Sequence, residues 1–361
     1  MEDFIYSKNI SFFLNDIPFR FIGCNMYELA NVNRRTASLM IKDAYDEGFK
    51  AIRFWAFEPV SKYKVEEICN LASDYEMKVI PVLADPNGYL QNYKINSDWY
   101  KSDYKKSYLN HVSEITSHLK NKNEILLWEM INEPSTKNFE DMFVFSKTVS
   151  EQIKASDPNH LISLGTVGGI GDSFGGFFSR FSASNFEKLY SIKTIDAVSL
   201  HDYSFSATLL ERLDMFNRLK GNPGLSKFTG LINNILEYIP LLLDKFTLNK
   251  YKTTMNFPLT IRNVWRAYNK KNLTSAIKLD KPVYIGETGF KKNLGAFRKK
   301  ILEIELNNYF IEGISGVLLW SFESQGCSND GHDYGFNLRD EFGSVIKKIN
   351  SSLQINSSNS L

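Results

Sequence analysis

"EILLWEMINE", residues 124–133, is the stretch on which the fold turns. Its apolar residues run almost without a break instead of alternating with polar ones. Strands covered on both faces read this way, and such strands belong to parallel sheets wrapped by helices. The run ends at Asn132-Glu133-Pro134, so a carboxyl group stands at the strand end. A second acid, Glu129, lies four residues earlier and shares its parity, one layer deeper. Its depth predicts a buried, paired structural carboxylate.

Working outward, similar runs recur from end to end. "FRFIGCNMY" (19–27), "AIRFWAF" (51–57) and "KVIPVLAD" (78–85) precede it; "LISLGTV" (161–167), "IDAVSLHDY" (195–203), "KPVYIGET" (281–288) and "GVLLWSF" (316–322) follow. Helical patterns lie between them, over 36–48, 64–76, 102–120, 139–155, 295–312 and 340–353. Eight strand–helix units in about 330 residues predict an α/β fold, a (β/α)8 TIM barrel. The competitor is a doubly wound open sheet, which usually carries a Gly-rich phosphate turn after its first strand. "GCNMYELAN" offers no such turn.

The chain reads as one catalytic domain, 1–361, in which the sixth unit is oversized: about 78 residues separate Tyr203 from Lys281. Residues 205–278 are expected to form a helical insertion, with Leu231, Ile235, Ile239, Leu242 and Phe246 on one stripe. A hairpin packed on the barrel, a lid, a homodimer surface and a membrane-touching helix all fit that stripe, although Pro240 interrupts it.

Composition narrows the partners. The net charge is only +2, unlike the strongly basic face that nucleic acid calls for. No stretch reaches the apolar length of a membrane span. The three cysteines, Cys24, Cys69 and Cys327, form no CxxC pair and no closed disulfide framework. With acidic residues in "MEDFIYSKNI" and no apolar h-region, a soluble cytoplasmic protein is expected; a trimmed secretion signal gives the same picture.

A barrel of this type collects its chemistry at the C-terminal ends of its strands. Those ends carry Asn25, Tyr27 and Glu28; Arg53 and Trp55; Asp85 and Asn87; Asn132 and Glu133; His201 and Tyr203; Glu287; and Trp320 and Glu323. Glu133 and Glu287 end the fourth and seventh strands, on opposite sides of the ring, and can face each other across its mouth. Two carboxyl groups about 5–5.5 Å apart are the machinery of a retaining glycosidase. One acts as acid and then base and the other as nucleophile, so their surroundings must differ. Arg53 and Tyr203 are expected beside Glu287, with Arg53 favouring its ionised form. Asn132 is placed for a sugar 2-hydroxyl and Trp320 for a sugar face; Trp55, Asn25, Tyr27 and Asp85 are candidate substrate contacts. The cluster "CSNDGHDYGF" (327–336), with Asp330, His332 and Asp333, suits a sugar-binding or capping loop better than a metal site. No metal and no cofactor are expected.

Together, "LLWEMINEP", "KPVYIGETGF", "AIRFWAF", "IDAVSLHDY" and "GVLLWSF" resemble glycoside hydrolase family 5, over about residues 19–340. "GCNMYEL", "IRFWAF" and "WEMINEP" resemble its β-mannanase branch most. The resemblance implies Glu133 as acid/base, Glu287 as nucleophile, and Arg53, Asn132, His201, Tyr203 and Trp320 in support. It also implies a β-linked oligo- or polysaccharide substrate, of the β-1,4-mannan or glucomannan type. "ADPNGY" and "GTVGGIGD" depart from the family's pattern at the third and fifth strands. A β-1,4-glucanase, an exo-acting or glycolipid-directed β-glycosidase, and a catalytically dead sugar-binding barrel stay open as alternatives.

Overall fold

The computed structural model describes residues 4–86, 88, 94–134, 136, 138–167, 184–203, 274–290, 292, 295, 297–327 and 333–358. The insertion over 205–278 falls outside them up to residue 273, as do Asn87 and residues 328–332 of the 327–336 cluster.

The chain opens with three short antiparallel strands, β1 (Tyr6–Lys8), β2 (Ser11–Leu14) and β3 (Ile17–Phe19). Asn15 and Asp16 join β2 to β3 with φ of 52° and 62°. Positive φ at both positions is what a two-residue hairpin turn requires, and Asn and Asp tolerate it best.

Eight parallel strands then close into a barrel: β4 (Phe21–Met26), β5 (Ala51–Trp55), β6 (Lys78–Val82), β7 (Leu127–Asn132), β8 (Leu161–Val167), β9 (Val198–His201), β10 (Val283–Thr288) and β11 (Gly316–Leu319). β11 pairs with β4 to complete the ring. Each lies within a run expected as a strand, although Phe19 belongs to the hairpin sheet and not to the barrel.

Around the ring lie α1 (Arg34–Glu47), α2 (Lys62–Ser73), α3 (Ser97–Lys101), α4 (Tyr108–Leu119), α5 (Phe139–Ser156), α6 (Ser184–Tyr190), α7 (Phe297–Ile311) and α8 (Phe342–Ser358). Asn33, Ser61, Asn96 and Asn138 cap the first turns of α1, α2, α3 and α5 with side-chain oxygens. The helix expected over 102–120 is broken. α3 precedes it, a 3-10 turn spans Asp103–Lys105, and α4 begins only at Tyr108. Tertiary packing explains the break: Trp99, Tyr100, Tyr104 and Tyr108 all gather on Phe145 of α5, with ring centroids 5.0–5.9 Å away. A straight helix would spread Trp99 to Tyr108 along about 13 Å of its axis, too far for all four to meet one ring.

The barrel interior is layered. Its floor is apolar: Phe21, Ala51, Ile80, Leu127, Leu161, Ala197, Tyr284 and Leu318 cluster with Ile5 and Phe12 of the N-terminal segment. The hairpin sheet thereby supplies a plug beneath the ring. Above the floor the inward positions turn polar, with Arg53, Glu129, Ser163 and Ser199 all fully buried. The mouth follows above them. Among the described residues no helix is long and apolar enough to cross a membrane.

Candidate active site

The polar layer centres on Arg53, the second inward residue of β5. Every N–H of its guanidinium is engaged. Nε donates to both oxygens of Glu129 at 3.1 Å, and Nη2 donates to Glu129 Oε1 at 2.5 Å and to Asn132 Oδ1 at 2.7 Å. Nη1 donates to Asn25 Oδ1 and to Glu287 Oε1, each at 2.8 Å. The Trp55 ring covers the group, 4.6 Å from Cζ to the ring centroid. Burial by itself would disfavour the cation, but the charges of Glu129 and Glu287 more than offset this and hold Arg53 above its ordinary pKa.

Glycine makes room for this network at two points. A Cβ on Gly165 would strike the Glu129 carboxylate and come within 3.2 Å of Arg53 Nη2. A Cβ on Gly286 would strike Ser199 Oγ and stand 2.9 Å from His201 Nε2. Neither position tolerates a side chain while its neighbours stay in place.

At the rim the two glutamates follow irregularities in their strands. The β7–β8 register shifts between Glu129 and Asn132, and the β9–β10 register between Ile285 and Glu287. Such bulges re-aim the side chains that follow them. Glu133 then takes φ of 38°, in the left-handed region that residues other than glycine seldom enter. Its N–H is still held by Gly165 O at 2.7 Å.

The two carboxylates meet at His201. Its Nδ1 lies 3.0 Å from Glu133 Oε1 and 3.4 Å from Glu287 Oε2, and one ligand-type atom from each of the three residues lies within 4.8 Å of the others. Their settings differ. Glu287 is nearly enclosed, its side chain 6% exposed, with Arg53 on one oxygen and the Tyr203 hydroxyl on the other at 2.8 Å. Glu133 is 18% exposed and faces the opening. Burial lifts the Glu287 carboxyl above its ordinary range; His201 and Arg53 pull it back down, Glu133 pushes it up, and the Tyr203 hydrogen bond lowers it. The sequence led to an expectation that Arg53 would decide this balance in favour of the anion, but the desolvation of an enclosed carboxylate is the larger effect. Burial, and then the charges of Glu287 and Glu133, raise the Tyr203 hydroxyl well above its ordinary pKa, so it remains a donor.

Two carboxylates and an imidazole are also a donor set that a divalent cation accepts. Here, however, the Arg53 cation already stands 2.8 Å from Glu287, where it would oppose a second positive charge.

The structure brings Arg53, Asn132, Glu133, His201, Tyr203 and Glu287 together. Trp320, Trp55 and Tyr27 form an aromatic cluster beside them with Phe57 and Val82; Tyr203 and Tyr334 pack against it. Asn25 and Trp55, considered as substrate contacts, have no exposed surface. Asn25 accepts from Arg53 and donates to Gly286 O at 3.1 Å, and Trp55 donates to Asp85 Oδ2 at 2.7 Å beneath the rings of Tyr27 and Trp320. They are sealed because their inward direction leads under the mouth, so they support the site from behind. Asp85, 3% exposed, is occupied in the same way by Trp55. Glu323 pairs with Lys292 at 3.1 Å instead of joining the carboxylates.

Two residues were not singled out from the sequence. Tyr284 donates to Glu129 Oε2 at 2.9 Å, and Tyr334 stacks against Tyr203 with ring centroids 5.2 Å apart. The inward parity that Tyr284 shares with Gly286 was a usable signal. Tyr334 comes from a loop, where no periodicity points inward.

A family model described as cellulase (glycosyl hydrolase family 5) matches residues 15–326. The chain is 25% identical over 228 residues to the probable mannan endo-1,4-beta-mannosidase A-2 of Aspergillus terreus, a match covering 52% of this chain and 58% of that protein. It is 24% identical over 258 residues to mannan endo-1,4-beta-mannosidase 7 of Arabidopsis thaliana, covering 55% and 58%. The match thus spans well under two thirds of the length of these curated relatives. The fold is similar to that of the endo-1,4-beta-mannanase from Rhizomucor miehei, with a TM-score of 0.67 at 16% identity over 95% of this chain and 97% of that one.

Proposed function

The chain belongs to glycosyl hydrolase family 5, and on that premise we propose that it is a retaining β-glycoside hydrolase acting on β-1,4-linked mannan or glucomannan. The observation that carries the reading is the pair Glu133 and Glu287, brought within 4.8 Å through His201 yet differently exposed. Such closeness is in keeping with the short carboxyl separation of double displacement.

In the first half-reaction Glu287 attacks the anomeric carbon while Glu133 gives its proton to the departing glycosidic oxygen. In the second, Glu133 takes a proton from water as the water displaces Glu287 from the sugar. Arg53 and Tyr203 fix both oxygens of Glu287 for the attack, and the more open Glu133 stays ionised after the first step until the incoming water returns its proton. Asn132, whose Oδ1 is held by Arg53, offers its amide N–H groups to the sugar 2-hydroxyl, a contact that strengthens in the transition state.

Mannan as substrate is supported by the names of the relatives and by the resemblance at the first, second and fourth barrel strands. Hydrolysis of mannan, glucomannan, carboxymethyl cellulose, xylan and aryl β-glycosides should be compared. Turnover of cellulose with none of mannan would replace the mannanase reading with a glucanase one. Chemical rescue separates the two carboxylates: Glu287→Gly with azide should yield the α-glycosyl azide, and Glu133→Ala with azide the β-anomer. The opposite assignment of products would reverse the roles.

A further inference from the structure

A third carboxylate, Glu129, touches neither the opening nor the pair at the rim. We propose that Glu129 is a positioning residue for the reaction: it fixes the Arg53 guanidinium and cancels its charge, and so sets how strongly Arg53 holds Glu287 as an anion. This rests on reading Glu287 as the nucleophile.

The geometry is that of one cation divided between two acids. Glu129 takes the Nε edge and one N–H of Nη2, while Glu287 receives a single N–H from Nη1. The Arg53 and Glu129 side chains are both fully buried, so water does not screen their pairing. Tyr284 anchors the far oxygen of Glu129 at 2.9 Å, and Gly165 leaves the space that its carboxylate fills. Arg53 and Glu129 together are close to neutral. Glu287 therefore meets a guanidinium that aims it but whose attraction is largely spent on another partner. Without the Glu129 charge, the same guanidinium would bind Glu287 as its only anion. A carboxylate held that firmly is a poorer nucleophile toward the sugar and a better leaving group in the second step.

The groups that face Glu287 are Arg53 from β5, Glu133 after β7, and His201 and Tyr203 from the end of β9; Glu129 of β7 and Tyr284 of β10 act one step removed, through Arg53. Glu129 and Tyr284 reach Glu287 without touching it, and Glu129 alone of the groups on Arg53 besides Glu287 brings a charge, so changing these two isolates the effect.

The test is Glu129→Gln, which removes the charge and keeps the shape. Protein labelled with 13C at the glutamate carboxyls is titrated by NMR, with the Glu287 signal identified by its loss in Glu287→Gln. The titration midpoint of Glu287 should fall by about one pH unit in Glu129→Gln, and the acidic limb of kcat/KM should fall with it. Glu129→Asp, which keeps the charge but withdraws it from Nε, should leave the midpoint near the parent value while lowering kcat. An unchanged Glu287 midpoint in folded Glu129→Gln overturns the proposal. A midpoint that falls while the activity limb stays fixed keeps the coupling but removes Glu287 from the nucleophile's role. Should Glu129→Gln fail to fold, Tyr284→Phe reads the same coupling with opposite sign. Losing the phenol concentrates the Glu129 charge on Arg53 and should move the Glu287 midpoint up; no movement there overturns the proposal as well.

Discussion

The Tyr203 hydroxyl donates to Oε2 of Glu287 at 2.8 Å, on the opposite oxygen from Arg53. Tyr203→Phe removes that donor and leaves the ring packed on Tyr334. A hydrogen bond to a charged acceptor contributes ~1.5–3 kcal/mol, so kcat/KM should fall roughly 10- to 100-fold. Steady-state kinetics alongside a melting curve would check this. A parent-like rate in a folded variant would take Tyr203 out of the reaction.

Glu287 also makes a stability prediction. Burial raises its folded pKa above the ordinary carboxylate value. A raised carboxylate binds more protons folded than unfolded, so its contribution is favourable in acid and is lost as pH rises through the window between the two values. Glu287→Gln, which never ionises, should therefore gain thermal stability over the parent as pH rises through that window. Melting temperatures measured from pH 4 to pH 8 would show a difference that grows with pH; one that shrinks would contradict the sign.

Arg53→Met should be far more damaging. It leaves Glu129 and Glu287 enclosed without their shared cation, and breaking a buried pair from one side costs about 3–5 kcal/mol. Urea unfolding measures that loss directly. A loss below about 1 kcal/mol would mean that water reaches these carboxylates.

Gly286→Ala puts a methyl group against Ser199 Oγ and 2.9 Å from His201 Nε2. Overpacking of this kind costs about 1–3 kcal/mol. It should also lower kcat, because His201 bridges the two glutamates. Normal kcat with lowered stability would show that the imidazole tolerates displacement.

The barrel was legible from the sequence because its strands are covered on both faces and read as unbroken apolar runs. Their ends named the rim for the same reason: polarity begins where the covering stops. The N-terminal sheet was not seen, since strands of three and four residues carry too little pattern, although Asn15-Asp16 was a hairpin signal. The break before α4 reflects packing on Phe145, which local spacing does not encode. Asn25 and Trp55 mark another limit. Parity told that they point inward but not that Tyr27 and Trp320 lie over them. Glu129 went the other way: four residues of depth were enough to separate it from Glu133.

The floor formed by Ile5, Phe12 and Phe21 has a kinetic consequence. Among the described residues it closes the barrel opposite the catalytic rim. In the proposed reaction the leaving sugar and the incoming water then share the rim side, where Glu133 is the more exposed of the two carboxylates. The two therefore compete for one place beside Glu133, and a sugar that stays there becomes the next acceptor in place of water.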